Sequence, residues 1–331
     1  MFILEDNMIK KFILPVLLIV IFVFTMSCSC SDATTTTTTQ TSTVSVSGDH
    51  TASLVWDGQI RNYIYHVPAN AYTGASMPLV FALHGGGGDA EQMMELTHNG
   101  FNELADRDGF WVIYPSALDG KWNDGRDPEF SQSDDVGFIS ALIDYFTTNM
   151  NIDTSRIYVA GISNGSHMAM RLARELTDKF AAAAAICYAM SEKEATLPVA
   201  MEAVSFLVMT GTEDPLIPWL GGETYDMEGE RMLGPILSLR ETIDTLVAYN
   251  QCNREPEVIW MPDNDPSDGT RVRLEDYTGG LQGTEVIFYQ IIGGGHTWPL
   301  GLQYNVIVLG KTCRDIDANE VIWAFFQKHS T

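Results

Sequence analysis

A run suited to a buried strand, Arg156-Ile157-Tyr158-Val159-Ala160, passes through Gly161-Ile162-Ser163-Asn164-Gly165 directly into an amphipathic helix. Strand, glycine turn and helix in immediate succession commit this part of the chain to a layered α/β arrangement. They also lift the Ser163 hydroxyl onto a sharp turn at the positive end of a helix, where a serine can become a nucleophile. The pentapeptide alone is a weak signal, since glycine and serine are common enough to produce it by chance in roughly one chain in ten of this size. Its weight comes from three other places. His84-Gly85-Gly86-Gly87-Gly88 follows an earlier apolar run at 79–83, Asp214 follows a later one at 205–210, and His296 lies in Gly293-Gly294-Gly295-His296-Thr297-Trp298-Pro299.

The remaining pattern agrees. Strands are expected at 60–67, 78–83, 110–114, 180–188, 205–210, 258–261, 271–274 and 285–292, with helices at 90–107, 135–146, 235–249 and 317–328. Continuous apolar runs such as 78–83 suit central parallel strands, while the helices carry one apolar face each. Alternation of this kind implies a mostly parallel central sheet with helices on both faces. The order Ser, Asp, His, each just after a strand, is that of the α/β-hydrolase fold.

A chain of 331 residues with 45% hydrophobic residues can bury a full core, and one large domain suits it better than two small ones. The 43 acidic residues against 19 basic ones give a net charge of −24, which repels phosphate backbones and anionic lipid heads, so nucleic acid is excluded as a partner. At the N-terminus, Lys10-Lys11 precede an apolar run from Phe12 to Phe24, with Met8 placed to be the true start. That run is short for a membrane span and fits a signal-peptide core. Small residues ending in Cys28 resemble a bacterial lipoprotein signal with Cys28 lipidated, although Thr25 stands where such signals usually carry Leu; ordinary secretion is the alternative. Residues 1–30 are thus expected to be a signal peptide, 31–50 a Thr/Ser-rich tether containing six consecutive threonines, and 51–331 the catalytic domain. The membrane enters only through a lipid anchor. Of the mature cysteines, Cys187 reads as a buried thiol, and Cys252 with Cys313 is the only pair worth considering.

A serine nucleophile needs a base, an acid to orient that base, and donors for the oxyanion. His296, after the strongest late strand and in a loop able to bend over the site, is the candidate base. His50, His66, His98 and His329 are misplaced, His167 projects from the body of the helix, and His84 shapes the glycine loop. Asp214 is the candidate acid, with Glu213 a rival by proximity alone. Asp263, Asp265 and Asp268 sit in a polar loop that only superficially resembles a calcium loop, because Asp268 stands where the turn needs Gly and Leu274 where a bidentate Glu should be. The backbone N–H groups of Asn164 and Gly86 are the expected oxyanion donors.

Taken together, His84-Gly85-Gly86, Trp122-Asn123-Asp124-Gly125-Arg126, Asp134-Asp135-Val136-Gly137-Phe138, the elbow, the stretch 211–219 and Gly294-Gly295-His296-Thr297-Trp298-Pro299 resemble the poly(3-hydroxybutyrate) depolymerase-like esterases, a group that includes feruloyl and acetylxylan esterases. The resemblance implies that Ser163, Asp214 and His296 are the triad, that no metal or organic cofactor takes part, and that the substrate is a small-molecule or polymer ester. Two places depart from the family pattern. Ser166 replaces a glycine, and the cysteine the family often has near Gly279-Gly280-Leu281, as a partner for the one at Cys252, is absent. Trp122, Trp219 and Trp298 are candidate substrate contacts, and the loops 121–133, 219–234 and 261–283 candidate pocket walls. The expectation is an exported feruloyl- or acetylxylan-type esterase. The alternatives are a polyester depolymerase and a non-catalytic surface binding module; oligomeric state is not readable.

Overall fold

Apolar runs with no polar face become the centre of a single ten-stranded sheet. In the computed structural model, which describes residues 46–71, 74–127, 131–197, 203–225, 229 and 232–331, the compact unit runs Ser45–Thr331. The strands are β1 (Gly48–Trp56), β2 (Gln59–Val67), β3 (Met77–Leu83), β4 (Trp111–Pro115), β5 (Ile152–Ile162), β6 (Ala182–Ile186), β7 (Ser205–Gly211), β8 (Gly222–Tyr225), β9 (Met232–Ile236), β10 (Glu257–Trp260), β11 (Arg271–Tyr277) and β12 (Val286–Ile292). The helices are α1 (Ala90–Leu96), α2 (Gly100–Asp108), α3 (Asp135–Asn149), α4 (Asn164–Glu175), α5 (Glu192–Ala195), α6 (Leu239–Asn250), α7 (Val306–Leu309) and α8 (Ala318–Phe326). The main sheet has the order β1-β2-β4-β3-β5-β6-β7-β12-β11-β10, and β8 pairs with β9 separately. From β4 to β12 the neighbours are parallel, while the two strands at each end pair antiparallel.

The pleat sorts side chains alternately to two cores. Leu79, Phe81, Ile157, Val159, Ala183 and Ala185 join α3, α4 and α6 on one face. Val80, Ala82, Tyr158, Ala160, Ala182 and Ala184 join α1, α2 and α8 on the other. Helices on both faces were expected. A buried ion pair, Arg61 Nη2 to Asp135 Oδ1 at 2.5 Å, fastens β2 to α3, with the guanidinium lying 4.0 Å over the Phe138 ring.

Several expectations are corrected. The folded unit begins before residue 51: β1 pairs with β2 from Gly48 opposite Val67, and Ala52, Leu54 and Trp56 pack on the core from an otherwise polar strand. The helix expected at 90–107 is two helices. The Thr97 hydroxyl donates to the Met93 and Met94 carbonyls, and His98 and Asn99 take φ of 53° and 57°, breaking the rod. The helix expected from 235 starts at Leu239 instead, behind a Ser238–Glu241 capping box, because Pro235 belongs to β9. Cys187, Cys252 and Cys313 are all free and buried, so Cys252 and Cys313 do not pair. A Cβ built on Gly280 would stand 2.8 Å from Cys252 Sγ and closer still to Thr284, so the chain packs tightly against that thiol here. The signal segment, Cys28 and most of the tether lie outside the described residues.

Candidate active site

Four loops meet at the carboxyl ends of parallel strands: one each after β3, β5, β7 and β12. This is where open α/β sheets place their chemistry. Ser163 ends β5 and caps α4, with φ 56° and ψ −121°. A non-glycine residue held there is strained, and the fold must over-determine it. It does so by close packing. A Cβ on Gly165 would fall 2.6 Å from the Leu83 carbonyl oxygen and also onto that of His84, and one on Gly161 would strike the backbone of Gly165. The elbow glycines are therefore there for close approach of α4 to β3 and β5; the unusual dihedrals belong to the serine. Ser166, in the departing position, is buried and donates its hydroxyl to the Ser163 carbonyl at 2.6 Å.

His296 and Asp214 are brought together: Nδ1–H donates to Oδ2 at 2.9 Å and is 3.1 Å from Oδ1. Asp214 Oδ1 also accepts from the N–H groups of Leu216 and Ile217, at 2.8 and 2.9 Å, which fixes the carboxylate from behind. Glu213 is exposed and its N–H donates to the Gly294 carbonyl; the carboxylate that meets His296 is that of Asp214. The two loops cross backbone to backbone at Gly211, where a side chain would overlap Gly294, and Gly295 lies as close to the backbone of Leu309 and Gly310. Ser163 and His296 line one cavity of about 240 Å³. Cys187 sits beside the pair with its thiol 3.5 Å from the Thr297 carbonyl, within 4.8 Å of donor atoms of both Asp214 and His296. Burial pushes that thiol well above its ordinary range, so it stays protonated.

The glycine loop approaches the elbow from the other side. Cβ atoms built on Gly85 and Gly86 would lie 3.6 Å from Ser163 Cβ and 3.7 Å from Asn164 Cβ. The Gly87 and Gly88 N–H groups are committed to the Gly120 and Gly85 carbonyls, while that of Gly86 has no backbone partner among the described residues. His84 shapes this loop, as expected: Nδ1 donates to the Gly85 carbonyl at 2.7 Å and Nε2 accepts from the Ala117 N–H at 3.0 Å. Burial lowers its pKa and favours this neutral, one-donor one-acceptor form.

The tryptophan expectation is corrected. Trp122 and Trp298 are completely buried. The Trp122 indole donates to the His84 carbonyl at 2.9 Å, and its backbone is clamped by the Asn164 amide, which also reaches Asp124. Trp298 donates to Asn319 and packs edge-on to Phe101. Trp219 stacks on Phe288 against the core. None of the three lines the cavity. Nor do the described residues of the loops expected as walls. The lining comes from Gln92, Met93 and Leu96 of α1 and its lead-in, Ile162, Thr297, Tyr304 and Leu309. Sequence reasoning passed over Tyr304 and Leu309; their one signal was an uncharged apolar stretch soon after the histidine loop.

Comparison with known proteins bears on the family and the fold. Residues 61–216 match the family described as esterase PHB depolymerase. NocK of Nocardia uniformis subsp. tsuyamanensis, an esterase by name, is 30% identical over 272 residues, covering 78% of this chain and 77% of that one. Feruloyl esterase B of Piromyces equi is 26% identical over 242 residues, which are 71% of this chain but only 42% of that relative's length. The solved acetyl xylan esterase of Aspergillus awamori superposes with a TM-score of 0.52 at 16% identity, over 84% of this chain and 99% of that one, and so shares the α/β-hydrolase fold.

Proposed function

The chain belongs to the PHB-depolymerase family of esterases and is a carboxylic ester hydrolase, and we propose that it works outside the cytoplasm through a Ser163–His296–Asp214 triad and an acyl-enzyme. The observation that carries this is the strained Ser163 sharing a cavity with a histidine whose Nδ1 is locked onto a buried carboxylate. With Nδ1 protonated and held, Nε2 is the basic nitrogen. It takes the Ser163 proton as Oγ attacks the ester carbonyl, and Asp214 stabilises the resulting imidazolium. The oxyanion is met by the Asn164 and Gly86 N–H groups. Collapse breaks the ester C–O bond, the alcohol leaves with the proton from Nε2, and water reverses the sequence to release the acid and free Ser163. A binding module without catalysis would have no use for a strained serine.

For substrate, the walls Met93, Leu96, Ile162 and Leu309 are apolar, with Tyr304 and Gln92 supplying the polar edge. They favour a single short or aromatic acyl group, feruloyl or acetyl, on a soluble alcohol such as a sugar. A second reading has its own observation: Leu300, Tyr304, Val306, Ile307 and Val308 are exposed on the stretch that carries the lining residues Tyr304 and Leu309, an apolar strip suited to a polyester surface. One panel tests both mechanism and substrate. Methyl ferulate, acetylated xylooligosaccharide and suspended polyhydroxybutyrate are offered to the wild type and to Ser163→Ala. The variant should lose on the order of 10⁴- to 10⁶-fold in kcat, and fluorophosphonate should label Ser163 alone in the wild type. Clearing of the suspension without ferulate or acetate release would reverse the substrate ranking.

Export rests on Lys10-Lys11, the apolar run that follows and Cys28. Cys28→Ala should move the protein from the membrane fraction to the medium or periplasm. A native N-terminus beyond Cys30 would establish ordinary secretion instead.

A further inference from the structure

The loop between β10 and β11 folds onto the segment between α7 and α8, and their contact places two carboxylates and a thiol together. Donor atoms of Asp268, Cys313 and Asp315 all lie within 4.8 Å of one another. Asp315 is 4% exposed and Cys313 wholly buried. Asp315 Oδ1 accepts from the Asn264 and Asp265 N–H groups at 2.7 and 3.1 Å, but Oδ2 is buried with no hydrogen-bond partner. The Thr270 hydroxyl is also buried without a hydrogen bond of good geometry, and its side chain lies against Cys313. Each Asp268 oxygen accepts one backbone N–H, from Thr270 and Arg314, and keeps a lone pair free. The nearby Arg314 guanidinium turns away to Asp265, at 3.4 Å. Among the described residues neither carboxylate forms an ion pair, although the Lys311 ammonium lies by Gly269, and Asp315 keeps an orphaned oxygen; an unpaired buried charge is costly.

We propose that Asp268, Cys313 and Asp315 hold a divalent metal ion of the zinc class, with Thr270 or water completing the shell. The thiol decides the class: calcium and magnesium take oxygen-only shells, whereas zinc accepts thiolate and carboxylate together in tetrahedral sites. Binding forms the metal–sulfur bond as the Cys313 proton is released to solvent. The sequence discounts a calcium loop here because Asp268 stands where its turn needs Gly and Leu274 where a bidentate Glu should be; the site proposed instead draws its ligands from two segments about 45 residues apart, joined only by the fold. The site lies next to the backbone that positions the base. The Lys311 carbonyl accepts from the Gly295 N–H at 2.9 Å, and the Cys313 carbonyl from the Leu300 N–H at 2.7 Å. The ion would therefore staple the support of the His296 loop.

The test uses cobalt as a coloured stand-in on chelator-stripped protein. One equivalent of Co²⁺ should produce a near-ultraviolet thiolate-to-cobalt charge-transfer band, bleached by Zn²⁺ but not by Ca²⁺, and Zn²⁺ should raise Tm. Cys313→Ser should abolish the band. Asp315→Asn, and Asp268→Asn at the half-buried edge, should weaken uptake by at least about tenfold. No band in the wild type overturns the proposal, as does a band that survives Cys313→Ser or an ion-induced rise in Tm given only by calcium.

Discussion

His167 occupies the first turn after the elbow serine and is the least satisfied polar side chain near the site. It is fully buried, its ring 4.9 Å from that of Tyr188, and neither nitrogen has a hydrogen-bond partner among the described residues. Burial first, then the positive charge of Arg126, hold its pKa well below the usual histidine value, with Asp124 opposing and His296 adding to the effect. The unfolded chain therefore binds a proton below about pH 6.5 that the folded chain refuses. Stability from this group is complete above that pH and falls, by about 1.4 kcal/mol per pH unit, as acid is added until the folded pKa is reached. His167→Met should be as stable as wild type or more so at pH 7, since it removes two unmet polar atoms. It should also lose stability less steeply between pH 6.5 and 5 in urea titrations. Glu194, whose pKa is raised by burial, and His84 are present in both proteins, so the difference in slope isolates His167; parallel slopes would dismiss this account.

The elbow depends on an element-to-element distance as well as on a residue. Gly165→Ala drives a methyl group into the backbone of β3 at Leu83 and His84, so α4 must retreat. A loss of about 3 kcal/mol is expected, read from a lowered denaturation midpoint at unchanged slope, together with loss of ester turnover. How far the sequence disclosed these elements follows from where their side chains go. Central strands such as β3 and β7 were legible because both faces are buried and every position is apolar. β1 was not, because its alternate residues face solvent and its Thr and Ser continue the composition of the tether. The break between α1 and α2 was hidden because Thr97, His98 and Asn99 interrupt a helix through a hydroxyl bond and positive φ, which leave no mark on hydrophobic period. Ser163, Asp214 and His296 were legible because each follows an apolar run. The tryptophans misled because a large aromatic beside a motif can serve as wall or as foundation, and only burial tells which.

Across the whole molecule, the proposed catalytic groups and the cavity walls come from different depths of the fold. Ser163, Asp214 and the glycine loop hang from central strands, while the walls divide between α1 and the stretch carrying Tyr304 and Leu309. Those two walls are not equivalent. Met93 touches the cavity from α1, and among the described residues its backbone bonds only to Asp89 and Thr97, not to the His296 loop. Leu309 lines the cavity and also offers its carbonyl to the His296 N–H at 2.6 Å. Met93→Ala should therefore widen acyl preference with kcat for short esters within about threefold of wild type, whereas Leu309→Ala should widen it and lower kcat about tenfold or more, as small displacements of a base do. Equal kcat values for the two variants on a short aryl ester would refute the distinction. The consequence reaches into how such a chain can diversify. Changes in appetite can accumulate freely along one side of the cavity, but along the other each gain in range is taxed in speed, so descendants of this sequence should record their dietary history mainly on α1.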